Sequence, residues 1–593
     1  MFFFVLALSG LGLCIWRKPS ESLRVFLHVV LWILVRVKVR GAKLPASGPA
    51  LVAANHYSFL DAFLMGSVTK RWIRYLLWKP YYENKTFQPF AKALYCLPMA
   101  QEGIREIIAN LKGARAVIEQ GEMVGIFPEG EITRTGAMAP FRRGYEKILQ
   151  GTNAPIIPMH LSGLWKHPAS PSPEPWLPWR RWDVTISIGE PMPSTTTPEE
   201  LQQRVLELIG ETVGERFLRV ARRDWNRPAV SDGTKKQLTF GEWATAAVLL
   251  SAHMGDARRI AVLLPPGIDA AIANMAVFLA GKVTVNLPWS ARAAVVQDFM
   301  AQCGTNMVIT SRSLSVGLAE VPGIKYIEDL REQPGGIAAR MAAFRALHTF
   351  KVPGDAGDEA AVLFTAVPGA APSTSVLSHC ALLANVEGVA QALLTGGEAD
   401  KLLSNYPLSH PMGFTVGLLF PMAMGLPCVL QPELEDSISH HGATIALLTP
   451  PAIRKCLQEG DGGSLTQLRH VVSSWEESGE DLAAEFTART GRVLSLAFGG
   501  TAYGIVLALF RPSGRLLQGV LAKVVHPETG ALQPFGTAGQ LLVKAPARAQ
   551  RDEYIPMNVM ARLEEDGSLD LLNGRLPQER LSTGHSTRAL EAI

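Results

Sequence analysis

The sequence predicts two consecutive α/β domains behind an apolar, membrane-associating amino-terminal segment, and three observations carry that prediction. Short apolar runs ending in turn-forming residues recur through the first two hundred residues, as the buried strands of a largely parallel sheet do. Strand-like and helix-like segments alternate again from Arg259 to Leu287, the pattern of a second α/β unit. With 593 residues and 48% hydrophobic content, the chain also exceeds what one ordinary core encloses.

The elements follow in chain order. Phe2 to Trp16 is almost wholly apolar, Arg17 to Ser22 breaks the run, and Val25 to Val35 is apolar again apart from His28, before Arg36, Lys38 and Arg40. Each run is shorter than the roughly twenty residues a spanning helix needs. No basic stretch precedes the first run and no small-residue cleavage site precedes Arg17, which disfavours a secretory signal. Residues 1–40 are therefore expected to form a monotopic anchor or shallow hairpin, a single short spanning helix being the alternative. The basic flank would face anionic headgroups on the cytoplasmic side.

Pro49 to Ala54 reads as a buried strand, and Ala62 to Met65 opens a helical pattern, so His56 and Asp61 flank a strand-to-helix turn. A carboxylate on one imidazole nitrogen fixes the tautomer and leaves the other nitrogen free as a base. No serine or cysteine nucleophile is evident beside the pair, which suits direct deprotonation of a substrate hydroxyl that then attacks a thioester. With 13 histidines in the chain, such a spacing alone is a weak signal and a helix-capping pair is its bland reading. A second strand-like run, Glu122 to Phe127, ends in Phe127-Pro128-Glu129-Gly130, which places another loop at a strand end, where α/β sites lie. Arg134, Arg142 and Arg143 supply cations suited to a phosphate. Ala154 to Met159 reads as a further buried strand, and Glu199 to Val213 as a helix.

These motifs, in this order, resemble the glycerolipid acyltransferases, a family that includes the lysophosphatidate acyltransferases, over residues 41–215. The resemblance implies that His56 is the base and Asp61 its orienter. It likewise implies that Phe127, Pro128, Glu129 and Gly130, with Arg134, Arg142 and Arg143, hold the acceptor. One departure stands out: family members usually carry an arginine one or two residues beyond the motif glycine, where this chain has Glu131 and Ile132.

Residues 216–235 are polar and turn-rich and are expected to form a linker. Residues 236–593 resemble the adenylate-forming acyl-activating enzymes, most closely the synthetase half of the bacterial enzymes that join an acyl-acyl-carrier-protein synthetase to a 2-acylglycerophosphoethanolamine acyltransferase. The likeness rests on Ala361 to Thr365, Leu377-Ser378-His379, Tyr406 to His410 and Gly413 to Leu418. An AMP-binding-like domain over 236–540 and a remnant of the carboxy-terminal part over 541–593 are expected. The catalytic signature is eroded. Ala366 to Ser373 replaces a Gly/Ser-rich phosphate loop, with Ser373 at the position of its lysine, and Pro368 and Pro372 remove backbone donors and freedom that a triphosphate cradle needs. Ala502 stands in place of a magnesium-holding glutamate, and Met557-Asn558-Val559 bears no ribose-binding Thr-Gly-Asp, although Gly574-Arg575 resembles the hinge. The chain ends at Ile593, short of most of the mobile subdomain.

The expectation is thus an acyltransferase that needs no cofactor, with ATP and magnesium unused, and a second domain serving as a platform or as a dock for an acyl chain or carrier protein. The resemblance implies a lysophospholipid acceptor, lysophosphatidylethanolamine first and lysophosphatidate next, and acyl-carrier protein or acyl-CoA as donor. It implies the bacterial inner membrane as location, with the catalytic domains on the cytoplasmic side. A truly bifunctional enzyme and a non-catalytic lipid-binding scaffold remain open alternatives. A net charge of +4 and the lack of any zinc-finger motif argue against a nucleic-acid partner. Six scattered cysteines without a Cys-x-x-Cys pair fit reduced thiols, and no candidate metal cluster appears.

Overall fold

A computed structural model describes residues 19–172, 181–232, 236–315, 317–318, 320–331, 349–365, 373–394, 400–433, 438–458, 462–499, 508–511, 513–546 and 553–572. The chain divides into two compact units, the first ending at Glu211 and the second starting at Thr212.

The first unit is built on strands β1 (Val35–Gly41), β2 (Ala50–Ala54), β3 (Ile73–Trp78), β4 (Leu97–Met99), β5 (Met123–Ile126), β6 (Ile156–Ser162) and β7 (Trp182–Ile188). Helices α1 (Pro19–Leu34), α2 (Asp61–Ser67), α3 (Lys79–Glu83), α4 (Gln88–Ala93), α5 (Ile104–Glu119), α6 (Gly144–Leu149) and α7 (Pro198–Glu207) connect or flank them. The sheet runs β1-β7-β6-β2-β5-β3-β4, parallel throughout except between β6 and β7. All five residues of β2 are fully buried, which its Ala-Leu-Val-Ala-Ala sequence permits because a central parallel strand is covered on both faces. Ala53 pairs with Ile126 of β5 on one side and Pro158 of β6 on the other. The chain therefore leaves β2 and β5 side by side at one sheet edge, which brings together motifs about seventy residues apart.

The amino-terminal expectation needs correction over residues 35–40. The alternation Val35-Arg36-Val37-Lys38-Val39-Arg40 is strand β1, paired with β7 along its whole length, not a basic flank of an anchor. Before it, α1 buries Leu31 in the core and exposes Val25, Phe26, Val29, Trp32 and Ile33, each at least half exposed. Among the described residues no helix is long and apolar enough to cross a membrane; the first apolar run, Phe2 to Trp16, lies outside them.

In the second unit one sheet orders its strands as Ile324–Tyr326, Val308–Thr310, Arg259–Leu263, Val283–Asn286, Glu359–Thr365 and Ser373–Ser378, all parallel but the last pair. A larger, thirteen-stranded sheet has a parallel centre containing Leu402–Ser404, Ile445–Leu447 and His470–Ser474. Each has its own apolar core. Two expected boundaries shift. The stretch 216–235 is largely part of this unit: helix α8 (Val213–Arg223) buries Phe217, Val220 and Ala221, and Pro228–Ser231 pairs with Cys428–Leu430. Its arginines disguise the burial, because they share a helix with an apolar face. Nor is there a break at residue 540, since Gly539–Lys544 pairs with Leu521–Val525 and with Ile555–Leu563.

Candidate active site

His56 lies between β2 and α2, and its Nδ1 is 2.9 Å from Asp61 Oδ2. Asp61 is the first residue of α2 and is fully buried. The same oxygen accepts the backbone N–H groups of Tyr57 at 2.6 Å and Ser58 at 2.8 Å, while the Ser58 hydroxyl donates to Oδ1 at 3.1 Å. A carboxylate held by this many donors has one orientation, so the imidazole it faces has one as well. Phe127 stacks on the imidazole with centroids 3.8 Å apart and planes 10° off parallel, fixing its other face. Nδ1 is thus committed, and Nε2 is the nitrogen left for chemistry on a side chain that lines a cavity.

That cavity measures about 1340 Å³ and belongs wholly to the first unit. Its walls are mainly apolar, with Leu31, Phe63, Tyr75, Leu77, Trp78 and Phe87 among them, and His56, Glu131, Arg134 and Arg142 are among its polar lining residues, as are Arg24 and Arg71. Exposed aromatics Phe59, Trp78, Tyr81, Phe87 and Phe90 lie at the end of β3, on α3 and α4 and in loops, and all but Phe90 also line the cavity. Burial in this apolar setting pushes the Tyr75 phenol well above its usual range and the Cys96 thiol up to about 11, so neither ionises near neutrality.

The structure gathers the residues singled out from the sequence unevenly. Phe127, Pro128, Gly130, Arg134 and Arg142 join His56 in the cavity wall. Glu129 does not: it is 1% exposed, and its carboxylate accepts the backbone N–H of His56 on one oxygen and of Ala139 on the other, each at 2.6 Å. It is a positioning residue that ties the two loops together. Arg143 caps α6 and is exposed, away from the cavity lining. Gly130 closes the turn at φ +81°, where its N–H bonds Phe127 O at 3.0 Å. The left-handed φ favours glycine there, and a Cβ would lie 3.1 Å from the Arg142 guanidinium carbon, a contact that the exposed arginine relieves by a small shift.

Two residues escaped the sequence reading. Asn55, fully buried, bonds the Leu161 backbone through both amide atoms, at 2.9 and 2.7 Å, and so anchors the start of the His56 loop to β6. Thr133 donates its N–H to His56 O at 3.0 Å, the second tie between the loops. A polar residue directly after an unbroken apolar strand was the available signal for Asn55; Thr133 left none.

In the second unit, the loop Ala366 to Pro372, Ala502 and Gly574-Arg575 lie outside the described residues, as does the side chain of Ser373. The retained framework segments are core. Strand Glu359–Thr365 pairs on both sides, with Val283–Asn286 and Ser373–Ser378, and residues Met412–Leu419 form a buried π-helix that follows Tyr406 to His410. Among the described residues no group of three His, Cys, Asp or Glu is placed to hold a metal ion.

Known proteins divide in the same way. Residues 36–162 match the family described as Acyltransferase, and residues 217–551 the family described as AMP-binding enzyme. The 1-acyl-sn-glycerol-3-phosphate acyltransferase of Bacillus subtilis is 30% identical over 196 residues, 31% of this chain and 92% of that protein. The coconut (Cocos nucifera) protein of the same name is 29% identical over 197 residues, 31% of this chain and 58% of its own. The hybrid PKS-NRPS synthetase poxE of Penicillium oxalicum is 25% identical over 392 residues, 57% of this chain but 9% of that much longer protein. Among solved structures, VinN aligns with a TM-score of 0.53 at 20% identity, covering 61% of this chain and 99% of its own. ATP-bound MatB from Rhodopseudomonas palustris aligns at 0.51 and 19%, covering 62% and 79%; at such identities the likeness is one of fold. A His-Asp dyad with a buried aspartate beside a second strand-end loop, on a sheet of this order, thus coincides with the segment that matches an acyltransferase, and the chain belongs to the acyltransferase family in its first part and to the AMP-binding enzyme family in its second.

Proposed function

We propose that the first unit moves a fatty acyl group from a thioester donor, acyl-carrier protein or acyl-CoA, to the hydroxyl of a lysophospholipid, with lysophosphatidylethanolamine as preferred acceptor, in phospholipid remodelling. The observation that carries this reading is the His56-Asp61 dyad, with His56 lining a large, mainly apolar cavity. His56 Nε2 takes the acceptor proton as the hydroxyl oxygen attacks the thioester carbonyl. The tetrahedral adduct then collapses, its carbon-sulfur bond breaks, and the imidazolium returns the proton to the departing thiolate. Asp61 supports the transient positive ring through Nδ1. Apolar walls suit acyl chains, and Arg134 and Arg142 suit a headgroup phosphate.

The exposed apolar face of α1 and the aromatics of α3 and α4 support docking on a membrane surface, with the cytoplasmic face of a bacterial inner membrane as setting. The second unit is read as a platform or donor dock without ATP or magnesium chemistry. A second acceptor, lysophosphatidate, is favoured by the name of the Bacillus relative.

The test is turnover by the purified chain with a panel of lysophospholipids, using preloaded acyl-carrier protein or acyl-CoA against free fatty acid with ATP and magnesium. Product from preloaded donors alone, lost in His56→Ala, supports both parts of the reading. Product from free fatty acid would restore the synthetase, and no product at all would leave the scaffold.

A further inference from the structure

We infer that Glu131 is a charge filter on the acceptor headgroup, admitting singly charged phosphodiesters and disfavouring doubly charged phosphomonoesters. Glu131 directly follows the Gly130 turn and lines the same cavity as His56. Its two carboxylate oxygens face different arginines, Oε1 at 3.8 Å from Arg142 Nη2 and Oε2 at 3.6 Å from Arg134 Nη2. Neither distance is a hydrogen bond, so both guanidiniums keep donors for a phosphate while the carboxylate stays between them. The Arg142 backbone N–H donates to Pro128 O at 2.9 Å, which ties that arginine to the same turn.

The charge count gives the consequence. Two guanidiniums and one carboxylate leave a single positive charge, which one phosphodiester charge balances. A phosphomonoester brings up to a second negative charge at neutral pH, and it would sit within a few ångströms of the Glu131 carboxylate. A phosphodiester bearing an ammonium meets the opposite situation, since Glu131 offers its cation a partner. All three side chains are at least half exposed, so solvent screens the effect and a change of about tenfold in preference is expected.

This inference rests on reading the cavity as a lysophospholipid site, and its test separates the two. Relative kcat/KM for lysophosphatidate over lysophosphatidylethanolamine, both in neutral detergent micelles with one acyl donor, is compared across wild type, Glu131→Gln and Glu131→Asp. The same ratio is read without turnover, as equilibrium binding of the two lysolipids to the full-length chain carrying His56→Ala, with and without Glu131→Gln. Glu131→Gln is expected to move both ratios about tenfold toward lysophosphatidate, less at high salt, with Glu131→Asp near wild type. Unchanged ratios in Glu131→Gln, or an equal loss of both acceptors, overturn the filter. Turnover that survives His56→Ala removes His56 as the base, and the binding ratios then decide the filter by themselves.

Discussion

Histidines mark both units, and they are used in opposite ways. His56 in the first unit has a carboxylate on one nitrogen, a stacked phenyl ring on one face and a cavity in front of it. In the second unit His379 is buried and His410 partly buried, and Nδ1 of each accepts a backbone N–H, from Val213 at 3.2 Å and Met412 at 3.1 Å. Burial holds both down to about 4, so both are neutral at pH 7 and act as hydrogen-bond struts. Polar residues retained in a fold are therefore no evidence of retained chemistry. What separates a site from a strut is the combination of a charged partner and access to a cavity.

The largest test of this contrast is on His56. His56→Ala should cut acyl transfer on the order of a thousandfold, and Asp61→Asn on the order of a hundredfold, with kcat falling more than KM rises. Equal rates in variant and wild type would put His56 with the struts.

Acid should break the second unit by way of its histidines. Between the ordinary histidine value near 6.5 and about 4, the unfolded chain binds more protons than the folded one. Stability therefore falls as pH drops through that window, by on the order of 3 kcal/mol per histidine once pH is below both values. Hydrogen exchange at pH 4.5 against pH 7 should show accelerated opening of His379–Leu393 and of the π-helix, and His379→Gln should blunt the difference at the former. Exchange with no pH dependence beyond its intrinsic chemistry would contradict the assignment.

Glu129→Gln tests positioning against contact. An amide can accept only one of the two backbone N–H groups that the carboxylate now takes, so about 1–3 kcal/mol of stability should go, with a rate loss of tens of fold. Should thermal stability hold while acceptor KM alone rises, Glu129 would be a substrate ligand instead. The smallest expected effect is that of ATP with magnesium. The melting midpoint should stay unmoved at millimolar nucleotide, whereas specific binding at a hundred times Kd would add about 2.7 kcal/mol.

The sequence made the strands of both units legible because buried parallel strands are short apolar runs, and β2 and β6 stand out as such. The dyad was legible too, since Asp61 needed only to start a helix after a short turn. Three things were not. Alternation in β1 reads as an edge strand only once a partner is known, and β7 arrives far later in the chain. Arginines on α8 concealed a buried face. Glu129 was expected to be an acceptor ligand from the family resemblance; its role depends on His56 and Ala139 backbone groups that become neighbours only when β2 and β5 pair.

The double tie across His56 constrains how such an enzyme changes over evolutionary time. With the His56 N–H bound to Glu129 and its carbonyl bound to Thr133, the His56 loop and the Gly130 loop are tied together. Lengthening or shortening either loop would shift the His56 imidazole, so under the proposed mechanism the chemistry is locked to loop length. Side chains just past Gly130 carry no such obligation. Divergence in acceptor choice should therefore accumulate there by point substitution, and the site can be retuned without being rebuilt.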